Sequence, residues 1–309
     1  MPDLILHHYA TSPFSEKVRL VLGLKGLAWR SVTVPALLPK PDVVALTGGY
    51  RRTPFMQIGA DVWCDSALMC RVIDRLVPEP PLYPAGCAGS ADIVAQWADT
   101  NLFWTAVPYA LQPAAASHFF EGAAPEYVKA FRDDRAAMMQ GASRRPPLAD
   151  AKVQLQIYLR RLEQQLGDGR AFLMGGAPSI ADVAAAQSVW FIRRAPPVAS
   201  VLAPYERVNA WYERVHAFGH GTSEPMTSAE ALDVSRHAAT HAAAKVAEGE
   251  AHAPGSVVTV TPTDYAFDPV AGRLVGLDDE EVVVARVDPR AGHVHVHFPR
   301  IGYQVRAQA

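Results

Sequence analysis

The sequence LILHHYATSPFSEKVRLVL, residues 4–22, places two kinds of secondary structure on either side of one turn. Residues 4–6 form a short apolar run that predicts a buried strand, and the apolar spacing from Val18 onward predicts a helix. Pro13 suits the first turn of that helix, because the N–H it lacks would have had no intrahelical partner. Ser12 therefore precedes the helix, where its hydroxyl can cap the first turn or face a ligand at the positive end of the helix dipole.

Residues 28–76 continue the alternation of strands and helices. The predicted elements are a strand at 28–34, a short helix at 42–46, strands at 52–58 and 62–64, and a helix at 67–76 capped by Asp65 and Ser66. A Gly59-Ala60-Asp61 turn joins the last two strands, which makes them antiparallel. The order β-α-β-α-β-β-α predicts a mixed α/β domain.

Residues 4–76 resemble the thioredoxin-like N-terminal domain of cytosolic glutathione transferases, in particular the theta, zeta and omega classes. Four short motifs carry the resemblance, namely Ser12-Pro13-Phe14, Lys40-Pro41, Thr53-Pro54 and Asp65-Ser66. Their order and spacing are more specific than any one of them alone.

The resemblance implies that Ser12 is the catalytic residue. A hydroxyl at a helix start would lower the pKa of the glutathione thiol and stabilise the thiolate, which is the reactive form. A serine at this position favours transferase or isomerase chemistry over thiol reduction. Tyr9 is the second choice, since other classes use a tyrosine near the end of this strand, and a plain helix cap at Ser12 is the alternative to either.

The resemblance also assigns the residues that bind glutathione as co-substrate. Thr53 would pair with the cysteinyl unit beside a cis Pro54, and Asp65 and Ser66 would bind the γ-glutamyl end at a helix N-terminus. Phe14 and Lys40 complete the set, with Lys40 near the glycyl end, and Arg51 and Arg52 are further candidates for that carboxylate. Each assignment has a structural alternative. Pro54 could be an ordinary edge-strand proline, Asp65 and Ser66 could cap a helix without binding a ligand, and the three cations could be solvated surface residues.

The second region is helical. Residues 91–111, 126–139, 151–166 and 204–218 have helical patterns, and Ser179-x-x-Asp182 is a capping-box arrangement. The capping box resembles the one that nucleates the core helix of the all-helical transferase domain, which implies a role in folding. A cleft between the domains would hold a hydrophobic co-substrate, lined by aromatic and polar candidates: Asn101, Phe103, Trp104, Phe119 and Phe120.

The third region departs from the family. An Ala/His-rich helix is predicted over 224–248, and four strands separated by turns follow near 257–260, 274–277, 281–287 and 293–298. The predicted organisation is a thioredoxin-like domain at 1–84, an all-helical domain at 85–220, a helix and linker at 221–254, and a small antiparallel, barrel-like β domain at 255–309.

The histidines suggest a metal site that the sequence does not support fully. His293, His295 and His297 share one face of a strand, and the pairs His237/His241 and His216/His220 are spaced by one helical turn. Such sets can chelate zinc, copper or nickel. No acidic ligand is in register with them, and a polar outer strand would look the same. The sequence alone therefore assigns no metal.

Composition limits the remaining function classes. The chain has 309 residues, a formal net charge of −2 and 50% hydrophobic residues, which suits a globular protein and gives no electrostatic reason to expect nucleic acid. No apolar run approaches the ~20 residues of a membrane span. Three scattered cysteines and an N-terminus without signal-peptide features predict a reduced, cytoplasmic protein.

Taken together, these features predict a glutathione transferase-like enzyme that attacks a small, hydrophobic electrophile, and the resemblance implies a homodimer. One alternative is a non-catalytic protein of the same fold whose C-terminal β domain recruits a partner. Another is a different glutathione-dependent reaction, such as isomerisation, dehalogenation or ether cleavage by a lyase.

Overall fold

The computed structural model of the chain describes residues 3–143 and 145–308. The first region contains β1 (Ile5–His8), α1 (Pro13–Leu24), β2 (Ala28–Thr33), α2 (Pro41–Thr47), β3 (Phe55–Ile58), β4 (Asp61–Cys64) and α3 (Ser66–Leu76). The second contains α4 (Ala88–Trp97), α5 (Phe103–Ala110), α6 (Pro113–Phe119), α7 (Pro125–Met138), α8 (Leu148–Gln165), α9 (Ile180–Arg193) and α10 (Glu206–His216). The third contains β5 (Thr222–Pro225), α11 (Ser228–His237), β6 (Val257–Pro262), β7 (Val270–Leu277), β8 (Glu281–Asp288), β9 (Gly292–Pro299) and β10 (Tyr303–Ala307).

The first region has the predicted thioredoxin-like arrangement. Strand β1 is parallel to β2 and antiparallel to β3, and β4 returns antiparallel to β3. Helix α1 begins at Pro13 and is capped by Ser12, as its sequence predicts. The strands thus bring the end of β1 and the start of β3 beside the start of α1.

The second region is all-helical and is organised around α9. A turn of π-helix, Ala98–Leu102, joins α4 to α5. Nearly every side chain of α9 is buried, and one hydrophobic core continues from this helix to α1 and α3. The capping box predicted at Ser179 and Asp182 is present at the start of α9. The predicted all-helical region is therefore confirmed.

The third region is rich in β-structure, as predicted, but it extends the existing sheet. Strand β9 pairs in parallel with β4, and a single ten-stranded sheet runs in the order β10-β6-β7-β8-β9-β4-β3-β1-β2-β5. Within the described part of 255–309, β10 pairs with β6 alone and β9 pairs with β8 and β4, so these five strands do not close on themselves into the predicted barrel-like form. A second hydrophobic core joins Ile5 and Phe55 of the first region to Val284 and Phe298 of the third.

The segment before these strands also differs from its prediction. Only residues 228–237 of the predicted helix at 224–248 are helical, and the chain is extended from Ala238. Strand β5 pairs in parallel with β2 and adds a tenth strand at the far edge of the sheet. Among the described helices, none has the length and apolar character that a membrane span requires.

Candidate functional site

The start of α1 holds Ser12 in a specific hydrogen-bonding position. Its Oγ accepts the Ser15 N–H at 3.2 Å and donates to the Thr53 carbonyl oxygen at 3.5 Å. The side chain is nearly inaccessible, since Ser12 is only 2% exposed. Ser12 is thus both the cap of α1 and a direct neighbour of the Thr53 backbone.

A cavity of about 530 Å³ lies next to this corner. The Thr53–Pro54 peptide bond is cis, and both residues line the cavity together with Phe14, Asp65 and Ser66. Five of the eight site residues expected from the sequence are therefore brought together around one space.

The N-terminus of α3 is the polar end of the cavity. Asp65 has a φ of 76°, and its carboxylate accepts the Ala67 N–H at 2.9 Å. Lys17 lies behind Ser66, with 3.5 Å between its Nζ and the Ser66 Oγ. The free N–H groups of the helix and the buried ammonium make this end suitable for a carboxylate.

Lys17 keeps its charge because Asp99 compensates for burial. The two side chains form an ion pair of 2.5 Å, and both line the cavity. Burial opposes the charge of Lys17, but the Asp99 carboxylate outweighs it and raises the pKa of the ammonium. Burial raises the pKa of Asp99 to about 6, although Lys17 opposes that shift. Both groups are therefore ionised at neutral pH, and sequence reasoning missed the pair because the two residues are far apart in the chain.

The third region supplies one wall of the cavity. Tyr303 donates from its hydroxyl to the Asp65 carboxylate at 3.2 Å. The Arg52 guanidinium donates to the Asp264 carboxylate and to the Tyr265 carbonyl, and it lies 3.9 Å from the centre of the Tyr265 ring. Arg52 therefore fastens the wall to the first region, which is a role that the sequence did not indicate.

Among the residues expected from the sequence, Ser12, Tyr9, Lys40 and Arg51 do not line this cavity. The Tyr9 hydroxyl accepts from Arg135 at 3.4 Å. Lys40 is buried and donates to the Arg51 carbonyl at 3.1 Å, while the Arg51 guanidinium pairs with Asp134 at 2.5 Å. Burial lowers the pKa of Lys40 to about 8. Internal partners thus already engage the cations that the sequence offered for the glycyl carboxylate.

The apolar part of the cavity comes from aromatic side chains. Phe14 packs against Phe103 with 4.6 Å between ring centres, and Phe103 packs against Trp104 at 4.9 Å. Trp104 lines the cavity, whereas Phe119 packs against Phe191 at 5.0 Å. The arrangement can hold an extended molecule with a carboxylate at α3 and an apolar group toward Trp104.

Two family models match the sequence. The model of the glutathione S-transferase N-terminal domain matches residues 6–81, and that of the glutathione S-transferase C-terminal domain matches residues 146–214. No match was found among the curated proteins.

Solved structures of glutathione transferase-like proteins are similar to this chain over different shares of its length. A GST-like protein from Pseudomonas syringae is 39% identical, with a TM-score of 0.84 over 99% of this chain and 100% of that one. A glutathione S-transferase from Rhodospirillum rubrum F11 is 18% identical, with a TM-score of 0.53 over 69% of this chain and 88% of that one. The β-etherase LigF from Sphingobium sp. strain SYK-6 is 18% identical, with a TM-score of 0.52 over 69% of this chain and 95% of that one. The last two share the fold alone, whereas the Pseudomonas protein matches throughout.

Proposed function

The chain belongs to the glutathione S-transferase family, and from this premise we propose that it is a glutathione transferase-like enzyme. It would bind glutathione in the cavity, stabilise the thiolate with the Ser12 hydroxyl and direct the sulfur to a small, hydrophobic electrophile. The observation that carries this proposal is the convergence of Thr53, cis Pro54, Asp65 and Ser66 on one cavity.

The polar end of the cavity fits the γ-glutamyl end of glutathione. Its carboxylate would accept from the Ser66 hydroxyl and the first N–H groups of α3, with the Lys17 ammonium 3.5 Å behind that hydroxyl. Asp65 would face the γ-glutamyl ammonium, because its carboxylate is the acidic group beside this site. The cysteinyl backbone would then pair with Thr53 as an added strand does.

Glutathione bound in this way would have its sulfur beside Ser12. The Ser12 Oγ lies 3.5 Å from the Thr53 carbonyl, so a cysteinyl unit held against Thr53 brings its thiol to the start of α1. The hydroxyl already accepts the Ser15 N–H, which leaves its own proton free to turn from Thr53 to a thiolate. The helix dipole and this donor together would lower the pKa of the thiol.

A binding protein without catalysis is the second candidate. The near-complete burial of Ser12 favours it, since the hydroxyl is satisfied within the protein and the third region walls the cavity. A different glutathione-dependent reaction, such as isomerisation, dehalogenation or ether cleavage, would use the same thiolate and differ only in the electrophile.

The family also guides what we propose for the cellular location and the oligomeric state of the protein. We place the protein in the cytoplasm, where glutathione is reduced, and its cysteines Cys64, Cys70 and Cys87 are unpaired thiols. Members of this family are typically dimers, and we expect a homodimer by light scattering of the purified chain.

Calorimetric titration of the full chain with glutathione tests binding. We expect binding in the millimolar range or tighter, at least tenfold weakened by Ser66→Ala, because a charge-assisted hydrogen bond contributes roughly 1.5–3 kcal/mol. Ser223→Ala, on the exposed strand β5, is the matched control and should bind normally. Absence of binding at millimolar glutathione would remove the proposal.

Turnover with a chloronitrobenzene electrophile separates the two candidates. Ser12→Ala should reduce the rate strongly while glutathione still binds, since the hydroxyl is proposed to contact only the sulfur of glutathione, and its other partners, the Ser15 N–H and the Thr53 carbonyl, belong to the protein. A wild-type protein that binds glutathione without turnover supports the binding protein. If Ser12→Ala retains full turnover, Ser12 is only a helix cap, and Tyr9→Phe becomes the next variant.

A further inference from the structure

Three histidines from separate segments meet where the third region joins the first. His293 and His295 lie on β9, and His241 lies in the extended segment after α11. One ring nitrogen from each lies within 4.8 Å of those of the other two. Their convergence depends on the extended chain after α11, so the helical His237/His241 pair expected from the sequence does not form.

A carboxylate from the first region completes the group. Asp61 pairs with His295 in the parallel register of β4 and β9. Its oxygens lie 3.6 Å from the His241 Nδ1 and 3.8 Å from the His295 Nδ1. The sequence offered no acidic side chain in register with these histidines, and the β4–β9 pairing places the Asp61 carboxylate beside two of them as an orienting partner.

Asp61 is fixed in place by other donors. The Ala242 N–H donates to its Oδ2 at 2.8 Å, and the His297 Nε2 lies 2.8 Å from its Oδ1. Asp61 is only 3% exposed. A buried carboxylate held from two sides beside imidazoles is the arrangement that orients metal-binding histidines in many proteins.

Two of the three imidazoles have a buried ring nitrogen without a hydrogen-bond partner among the described residues. The Nδ1 atoms of His241 and His295 are buried and form no hydrogen bond within the described residues. The two rings stack with 3.7 Å between centres and an interplanar angle of 15°.

We propose that His241, His293 and His295 bind one divalent transition-metal ion of the zinc class, with Asp61 as the carboxylate partner of the ligand set. Magnesium and calcium prefer oxygen ligands, whereas imidazole suits zinc, copper and nickel. Zinc–nitrogen bonds of about 2.0–2.1 Å in a tetrahedral site place the ligand atoms roughly 3.3 Å apart. Rotation of the exposed His293 side chain would close most of the remaining gap.

The ion would join three segments of the chain. It would tie the segment after α11 to β9 and, through Asp61, to strand β4 of the first region. Three protein ligands also leave one position open to water or another small ligand. This inference does not depend on glutathione binding, because the site residues do not line the cavity.

Cobalt titration of untagged, chelator-treated full chain tests the site. We expect one equivalent of Co²⁺ to bind, with the visible absorption of a low-coordinate ion, and Zn²⁺ to displace it. His293→Ala should weaken binding at least roughly 100-fold, and Asp61→Asn by about 10–100-fold, which is typical of an orienting carboxylate. His237→Ala, exposed at the end of α11, is the matched control and should bind as the wild type does.

Thermal unfolding gives a second readout. Zinc at a hundredfold excess over its Kd should raise the Tm of the wild type, since a ligand that binds only the folded state contributes about 2.7 kcal/mol there. His293→Ala should fold normally and lose this shift, because its side chain is exposed. Failure of the wild type to take up Co²⁺ or Zn²⁺ at micromolar concentrations, or unchanged binding in His293→Ala, would overturn the proposal.

Discussion

Replacement of Asp182 by alanine should show how the helical domain is held together. The Asp182 carboxylate is fully buried and accepts four hydrogen bonds. The Ser179 N–H and hydroxyl donate at 2.9 and 2.8 Å, and the Leu173 N–H and Trp211 Nε1–H each donate at 2.8 Å. One side chain thus connects the start of α9, the preceding loop and α10.

The magnitude follows from the donors left behind. In Asp182→Ala the Ser179 hydroxyl can rotate, but two backbone N–H groups and the indole N–H stay buried without an acceptor. Each such group costs about 1–3 kcal/mol. Because these three N–H groups share one space that water can partly fill, we expect the free energy of unfolding to fall by about 3–5 kcal/mol. Removal of one partner of a buried ion pair has a similar effect. Typical domain stabilities of about 5–15 kcal/mol leave this variant folded but marginal.

Urea unfolding followed by tryptophan fluorescence measures the change, with Trp211 among the reporters. The matched control is Glu230→Ala, which removes the acid of the capping box on α11. That glutamate is exposed, so water replaces its hydrogen bonds and the loss should be far smaller. A loss below about 1 kcal/mol in Asp182→Ala, or equal losses in both variants, would refute the role assigned to the buried carboxylate.

Two further predictions concern the first region and α4. Burial lowers the pKa of His7 to about 4, so the unfolded chain binds a proton between pH 6.5 and 4 that the folded chain does not. As the pH is lowered from 6.5 to 4, His7 should therefore reduce the free energy of unfolding by about 3 kcal/mol. The variant His7→Gln should lose this part of the pH dependence when its stability is measured by urea unfolding. Gly23→Ala should lower the Tm, because the new Cβ would clash with the Gly219 backbone. Gly89→Ala, in helix α4, places its Cβ more than 4 Å from other atoms and should raise the free energy of unfolding by about 0.5–1 kcal/mol. An unchanged pH slope, or a Gly23→Ala variant as stable as Gly89→Ala, would contradict these expectations.

Local patterns predicted most helices and strands of the first two regions, although helix α6 (Pro113–Phe119) was not among them. The strand, turn and helix around Ser12, and the capping box at Ser179, depend on residues within a few positions of each other. Such features are encoded in apolar periodicity and capping chemistry. The Thr53–Pro54 bond required the family resemblance, because nothing in the local sequence distinguishes a cis from a trans proline.

The third region could be predicted only in part, because its placement is non-local. The strands were visible from their alternating pattern, but the pairing of β9 with β4 joins residues more than 200 positions apart. The sequence of β5, Thr-Ser-Glu-Pro, is exposed and polar, and it is a strand because β2 offers an unpaired edge. The same non-local pairing brings Asp61 to the histidines.

The site residues also fall into two groups, those in local motifs and those whose contacts come from distant segments of the chain. Ser12, Asp65 and Ser66 belong to local motifs at helix starts, and the structure has each of them at the start of a helix. The internal partners of Lys40 and the role of Arg52 depend on segments distant in sequence. Side-chain type identified them as cations, but only the packed structure shows which carboxylates and carbonyls engage them.

The pKa of the glutathione thiol in the complex is the most direct test of the central proposal. Ultraviolet difference titration of the bound thiolate, compared with free glutathione, reports this pKa for the wild type and for Ser12→Ala. We predict a thiol pKa well below the value of about 8.5 typical of a free thiol, and a return toward that value in Ser12→Ala. A bound thiol that titrates like free glutathione, or one whose lowered pKa is unaffected by Ser12→Ala, would contradict the role proposed for Ser12.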